Sequence, residues 1–415
     1  MKSDLKVGVF GLVMMAAAIG LAAPQVALDR VQQRYPWNGL VDIDYTITGV
    51  EGYDVDYRLE FAYSSSEGEG TMSRFAEVAG CDLPTANGTH RVTWNAAADG
   101  LDFMAKDFRV TARLVCAPVT ESEADYLIID LSSGKNSTEY PVRFVRTGFD
   151  YSTENFNCHL YKQSKLVLKR VPACSFWMGT GNVSSGTKRH KVRLSKGCWL
   201  GVFEVTQGQY TLVVGSNPSA YPTDTGSELA KERPVEKLNL DTIIKPSVGF
   251  MDLMQARVKC RGKVLGGFNV PTEAQWECAC RAGCENAYYW GADTEANIDD
   301  YEWTKQNANS LTHVVGLKLP NDWGFYDMLG NVWEWTRDWE WPYPAYEEDG
   351  ETVDPLAVVA HRRKVMRGGA FHPNLPICGS GTRTTSYNAT PNMGNPGYNP
   401  ALINAYGFRL CKEVK

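Results

Sequence analysis

Residues 324–339 read GFYDMLGNVWEWTRDW, and no other stretch of the chain is as constrained. Phe325, Tyr326, Trp333, Trp335 and Trp339 stand among acids and glycines, with neither the period of a long helix nor the alternation of an ordinary half-buried strand. Aromatic side chains this dense require a core to enter. Asp327, Glu334 and Asp338 cannot follow them inside unless paired or bound to a metal. The stretch is therefore expected to be irregular, pinned by its aromatics, with acids turned inward. Asp327, the carbonyls near Gly330 and Val332, and Glu334 form an all-oxygen set of the kind calcium prefers. The alternative, equally open from the residues alone, is that these acids cap short helices or accept backbone hydrogen bonds.

Moving outward, other pieces share this character: FWMG at Phe176, FEVTQGQY at Phe203, RPVEKL at Arg233, VPTEAQWECACRAG at Val270, YYWG at Tyr288, LPNDWG at Leu319, VMRGGAF at Val365 and YGFRLC at Tyr406. In order and spacing these resemble the sulfatase-modifying-factor family, the formylglycine-generating enzymes and their non-catalytic relatives. The resemblance runs from about residue 163 to 415. It implies a low-regularity α+β domain related to C-type lectins, with calcium in some members, placed here by Asp327, Gly330, Val332 and Glu334.

The chain opens with lysines at 2 and 6 and an apolar run from Val7 that ends in small residues. Residues 1–22 read as a secretory signal, so the protein is expected to be secreted, periplasmic or at the cell surface, with no membrane span after cleavage. Its 415 residues and 43% hydrophobic content allow two cored domains. A net charge of −6 supplies no basic field for nucleic acid. Eleven cysteines leave at least one unpaired within the chain. Cys81 with Cys116, and Cys174 with Cys198, are plausible bridges.

Residues 25–147 alternate at period two, as in Val41, Ile43, Tyr45 and Ile47, or Leu59, Phe61 and Tyr63. Separated by glycine- and serine-rich turns, such half-buried strands suggest an immunoglobulin-like β-sandwich with Trp94 in its core. The expected class is thus α+β, with that sandwich, a linker over 148–162 and the formylglycine-generating-enzyme-like domain from 163. Thr272 followed by Gln275 is a capping box that starts a helix ending near Gly283. No phosphate loop, GxSxG or HExxH is present. The six histidines are scattered. Asp338 and Glu340, two apart, are expected to point opposite ways.

The resemblance makes Arg367–Arg383, RGGAFHPNLPICGSGTR, the segment on which activity turns. Catalytic relatives carry two cysteines there, five positions apart, which hold copper(I) as thiolates. The second falls on Cys378, the catalytic candidate if the protein is active; the first falls on Pro373. Two function classes follow: a copper-dependent oxidase acting on a sulfatase polypeptide, and a non-catalytic protein that binds a protein or glycan ligand. The second draws on TTSYNATPNMGNPGYNPALINA from Thr384, whose Tyr387, Asn388, Asn392, Asn395, Tyr398 and Asn399 have the composition of a recognition loop.

Overall fold

The computed structural model describes residues 25–34, 39–48, 57–65, 68–72, 75–76, 88–101, 109–116, 120–145, 156–180, 188–221, 228–260, 262–291, 298–340, 350–361, 363–371, 379–387 and 402–414. The architecture is mixed α+β, rich in strands and with few, short helices. Two compact units emerge: 1–124 with 143–155, and 125–142 with 156–415. The segment read as a signal lies outside the described residues. Among those described, no helix is long and apolar enough to cross a membrane.

In the first unit, period-two patterning becomes strands with one buried face. Leu40–Thr48 buries Val41, Ile43, Tyr45 and Ile47 and pairs antiparallel with Gln25–Gln33 on one side and Gly88–Asn95 on the other. A second antiparallel sheet holds Gly68–Thr71, Tyr57–Ser65 and Arg109–Cys116. Ile43 and Trp94 of one sheet share a core with Phe61 and Val110 of the other. Trp94 is fully buried, stacks on Tyr63 and donates its indole N–H to Asp99 at 2.7 Å, so its one polar atom is satisfied.

The second unit is built on an eight-stranded sheet in the order Lys263–Val264, Val258–Cys260, Tyr140–Val145, Tyr126–Asp130, Lys165–Val171, Cys198–Gly201, Cys411–Glu413 and Phe268–Asn269. Smaller sheets add Cys174–Met178, His190–Leu194 and Glu351–Val353, and then Arg383–Tyr387, Arg363–Arg367, Trp333–Trp339 and Tyr406–Gly407. The helix Glu273–Arg281 begins at the anticipated capping box, Thr272 with Gln275, and ends at Ala282 in the left-handed conformation. All nine of its residues are buried, which makes it an internal element with no water-facing side.

Two readings from sequence change. The domain boundary is not a simple linker over 148–162: Tyr126–Asp130 pairs antiparallel with Lys165–Val171, so residues 125–142 belong to the second unit. Alternation identifies a strand but carries no label for its partner. The helix His159–Gln163 lies within the supposed linker. The Gly324–Trp339 stretch, in turn, is irregular only to Val332; Trp333–Trp339 is a strand. Its first four residues are all buried, and a strand covered on both faces shows no alternation.

The pairing yields a test. A chain starting at residue 156 lacks the strand that covers Lys165–Val171 in mid-sheet, whereas one starting at residue 125 retains it. Only the longer chain should melt cooperatively by circular dichroism; equal cooperativity in the shorter one would show that this pairing is dispensable.

Candidate functional site

The segments singled out from sequence converge on two buried ionic clusters. The first is centred on Arg367, fully buried at the end of Arg363–Arg367. Its Nε donates to Glu273 Oε1 at 3.0 Å, and its Nη2 pairs with Glu277 Oε2. Glu273 and Glu277 lie four apart on the buried helix, hence on one face. Glu277 also accepts from Arg281 Nε and from the Gly179 amide, both at 2.8 Å. Burial would raise the Glu277 pKa, but the charges of Arg367 and then Arg281 outweigh it and hold the pKa below the usual carboxylate value. The remaining nitrogen, Nη1 of Arg367, donates to the carbonyls of Ser380 at 3.1 Å and Thr382 at 2.9 Å. Arg383 completes the group with an ion pair to Glu273 at 3.0 Å. One guanidinium thus joins the helix to the segments on either side of residues 372–378.

The second cluster gathers Glu204, Asp327, Glu334 and Arg409, each no more than 1% exposed. Arg409 donates from Nη2 to Glu334 Oε1 at 2.9 Å and from Nε to both Glu334 oxygens. Its Nη1 serves the carbonyls of Gly201 and Val202, both at 2.8 Å. Trp276 of the helix donates its indole N–H to Glu334 Oε2 at 2.8 Å. Glu204 accepts from Asn331 Nδ2 at 2.7 Å and from the Val332 amide at 3.1 Å; burial, then the charges of Asp327 and Glu334, push its pKa well up. Asp327 accepts from the Gly316 amide at 2.6 Å through Oδ2, while Oδ1 has no hydrogen-bond partner. Burial raises its pKa to about 6. Gly330 takes φ +82° where a Cβ would stand 2.4 Å from the Trp303 carbonyl oxygen, so glycine alone fits there.

These positions bear on the calcium reading. Of its two carboxylates, Glu334 has both oxygens engaged by Arg409 and Trp276, and Asp327 keeps Oδ1 without a hydrogen-bond partner. Among the described residues no group of three or more His, Cys, Asp or Glu is placed to hold a metal, and the set named from sequence draws on two carboxylates and two backbone carbonyls. The other acid of the stretch, Asp338, accepts from the amides of Glu273 at 2.6 Å and Ala357 at 3.0 Å, and so tethers the helix start. Glu340 is half-exposed beside His361 and Arg363, so the two acids do not share one environment.

A family model, "Sulfatase-modifying factor enzyme 1-like domain", matches residues 162–414. The chain belongs to the sulfatase-modifying-factor family. Among similar proteins, formylglycine-generating enzymes of Mus musculus and Thermomonospora curvata are 31% and 34% identical over 123 and 125 residues; each match covers 27% of this chain and 32% or 41% of the relative. The serine/threonine-protein kinase Pkn1 of Chlamydia trachomatis is 33% identical over 36% of this chain and 22% of its own. The chain thus spans about a third of the length of the first curated relatives it matches. Of solved structures, Treponema denticola variable protein 1 is 25% identical over 60% of this chain and 96% of its own, with a TM-score of 0.48.

Within this sulfatase-modifying-factor domain, Pro373 and Cys378 lie outside the described residues, as do Asn388, Asn392, Asn395, Tyr398 and Asn399. Tyr387 ends the strand Arg383–Tyr387, opposite Arg363. Glu204, Arg367 and Arg409 were not anticipated as site residues. A charged residue inside a strongly apolar motif, as in VFEV, VMRGG and GFRL, is the signal that could have found them, because such a charge must be paired when buried. As to the cysteines, Cys174 lies against Cys278 and not Cys198, with 2.7 Å between sulfurs; Cys81 lies outside the described residues.

Arg367→Met leaves Glu273 and Glu277 short of a counter-charge, and should lower unfolding free energy by about 3–5 kcal/mol in urea titration. Asp327→Asn has the opposite sign. The folded pKa of about 6 lies above the ordinary 3.8, so this group's stabilisation is complete below 3.8 and lost as pH rises through about 6. Asparagine can still accept from Gly316 without the buried charge. In chelator at pH 8 the variant should be the more stable in urea titration, by on the order of 3 kcal/mol at most, and should match wild type near pH 4. Calcium that raises the wild-type melting temperature but not the variant's would assign Oδ1 to the ion.

Proposed function

We propose that this chain is an exported, non-catalytic member of its family that binds a protein or glycan ligand through the Asn- and Tyr-rich run from Thr384 to Ala405. The observation that carries this reading is Pro373. In the register counted from Arg367-Gly-Gly, proline stands where catalytic relatives place the first copper cysteine, and a proline ring offers no donor. The donor set for copper(I) is then the lone thiolate of Cys378. Proline also fixes its own φ and lacks an N–H, so residue 373 brings neither a metal donor nor a backbone hydrogen-bond donor. The Asn- and Tyr-rich run after Thr384 follows directly from a strand whose start is fastened through Arg383 to Glu273. A recognition loop requires such a fixed base. The two-sheet first unit, read as immunoglobulin-like, presents no catalytic constellation among its described residues and serves as a spacer or adhesion module.

A second reading is favoured by Cys378, in register, and by relatives named formylglycine-generating enzymes. Under it the chain is a copper-dependent oxidase that converts a sulfatase cysteine to formylglycine. The two separate cleanly. The purified, copper-loaded protein is incubated with a peptide bearing a sulfatase-type cysteine motif and followed by mass spectrometry. No conversion of thiol to aldehyde is expected. Turnover that vanishes in Cys378→Ala would overturn the binding reading, and Pro373→Cys should increase copper(I) retention on dialysis against a competing thiol.

A further inference from the structure

Five cysteines meet in one hydrophobic core of the second unit. Cys278 and Cys280 on the buried helix, Cys198 and Cys411 are buried, and Cys174, at the start of Cys174–Met178, packs against them half-buried. All five are thiols in this structure. The Cys174 and Cys278 sulfurs lie 2.7 Å apart, nearer than unbonded sulfur atoms rest. Cys198 and Cys411 occupy neighbouring antiparallel strands, with Leu200 opposite Cys411 and Glu413 opposite Cys198. That places the two cysteines diagonally on one face. With no metal-holding group among the described residues, the chemistry open to the cluster is between pairs of sulfurs.

We propose that Cys174 and Cys278 form a redox pair that closes to a disulfide, fastening the strand Cys174–Met178 to the helix Glu273–Arg281. The roles of the two sulfurs differ. Cys174 is accessible from outside, and its hydrogen bond with Cys278 lowers its pKa; it is the attacking thiolate. Cys278 is buried and its pKa is raised, first by the bond with Cys174 and then by burial; it is the resolving thiol. The oxidant is an external disulfide, either low-molecular-weight or carried by a thiol–disulfide oxidoreductase. The Cys174 thiolate attacks it, forms a mixed disulfide and releases one thiol. Cys278 then loses its proton, attacks the Cys174 sulfur and releases the second. Two protein thiols are oxidised and one external disulfide is reduced to two thiols.

The bridge would close a loop of 104 residues, long enough for a large effect on the unfolded chain. It would also fix the helix at the residue next to Glu277, whose carboxylate holds Arg367. Oxidation should therefore stabilise the cluster that holds the segments on either side of residues 372–378.

The test treats the full chain with glutathione disulfide, blocks remaining thiols with iodoacetamide in denaturant, and digests without reduction. The expected product is one cross-linked peptide pair joining Cys174 to Cys278, together with a melting temperature roughly 10 °C above that of the reduced chain. Cys174→Ala, at a half-buried position, should fold and lose the oxidative gain, while Cys284→Ala should keep it. Carboxamidomethylated Cys174 and Cys278 after oxidation, a link from Cys174 to Cys198, or a gain that survives in Cys174→Ala would each overturn the proposal.

Discussion

A guanidinium withdrawn from water must find an acceptor for each of its five N–H groups, since an unmet one costs far more than a met one returns. Arg409 draws these acceptors from the end of the Cys198–Gly201 strand, from the irregular turn at Tyr326 and from Glu334 on the Trp333–Trp339 strand. Three pieces of chain, more than a hundred residues apart at the extremes, are thereby held at fixed distances by one side chain. The irregular backbone of 324–332 becomes tolerable for the same reason. It forms few ladder bonds, and its polar groups are taken up by Arg409, Glu204 and the carbonyls of Trp303 and Gly368. In a domain with short helices, buried charge supplies the cross-links that longer regular elements supply elsewhere.

Much of this scaffold could be read before any coordinates. Val41, Ile43, Tyr45 and Ile47 alternate in sequence and are buried together in the structure, because a half-covered strand writes its environment into its own residue order. Thr272 and Gln275 announced a helix start because both partners of a capping box lie within one turn. The same signature at Thr206 and Gln209 begins the Gln207–Val214 helix, which was not anticipated: with little polar contrast between its faces, the cap was the one local sign.

What stayed hidden depends on distance along the chain. Glu204 meets Asn331 across 127 residues, and Arg367 meets Glu277 across 90; no window of sequence contains both members of either pair. The acids of Gly324–Trp339 were recognised as inward-facing, but calcium and a guanidinium satisfy a buried carboxylate equally well as far as local sequence can tell. Arg409 lies 75 residues beyond Glu334, and only the fold brings it there. Tyr126–Asp130 was recognisable as a strand, yet its place in the second unit's sheet required its partner to be known.

The Arg367 cluster bears on how the position at 373 should be weighed. Its acceptors are two helix carboxylates and the backbone carbonyls of 380 and 382. Among the described residues these hold the segments on either side of 372–378 to one helix. Arg367 is thereby required by the fold itself, since its removal leaves two buried carboxylates short of a counter-charge. A motif that matches at Arg367 therefore speaks to the scaffold, and the residue at 373 has to be judged on its own chemistry.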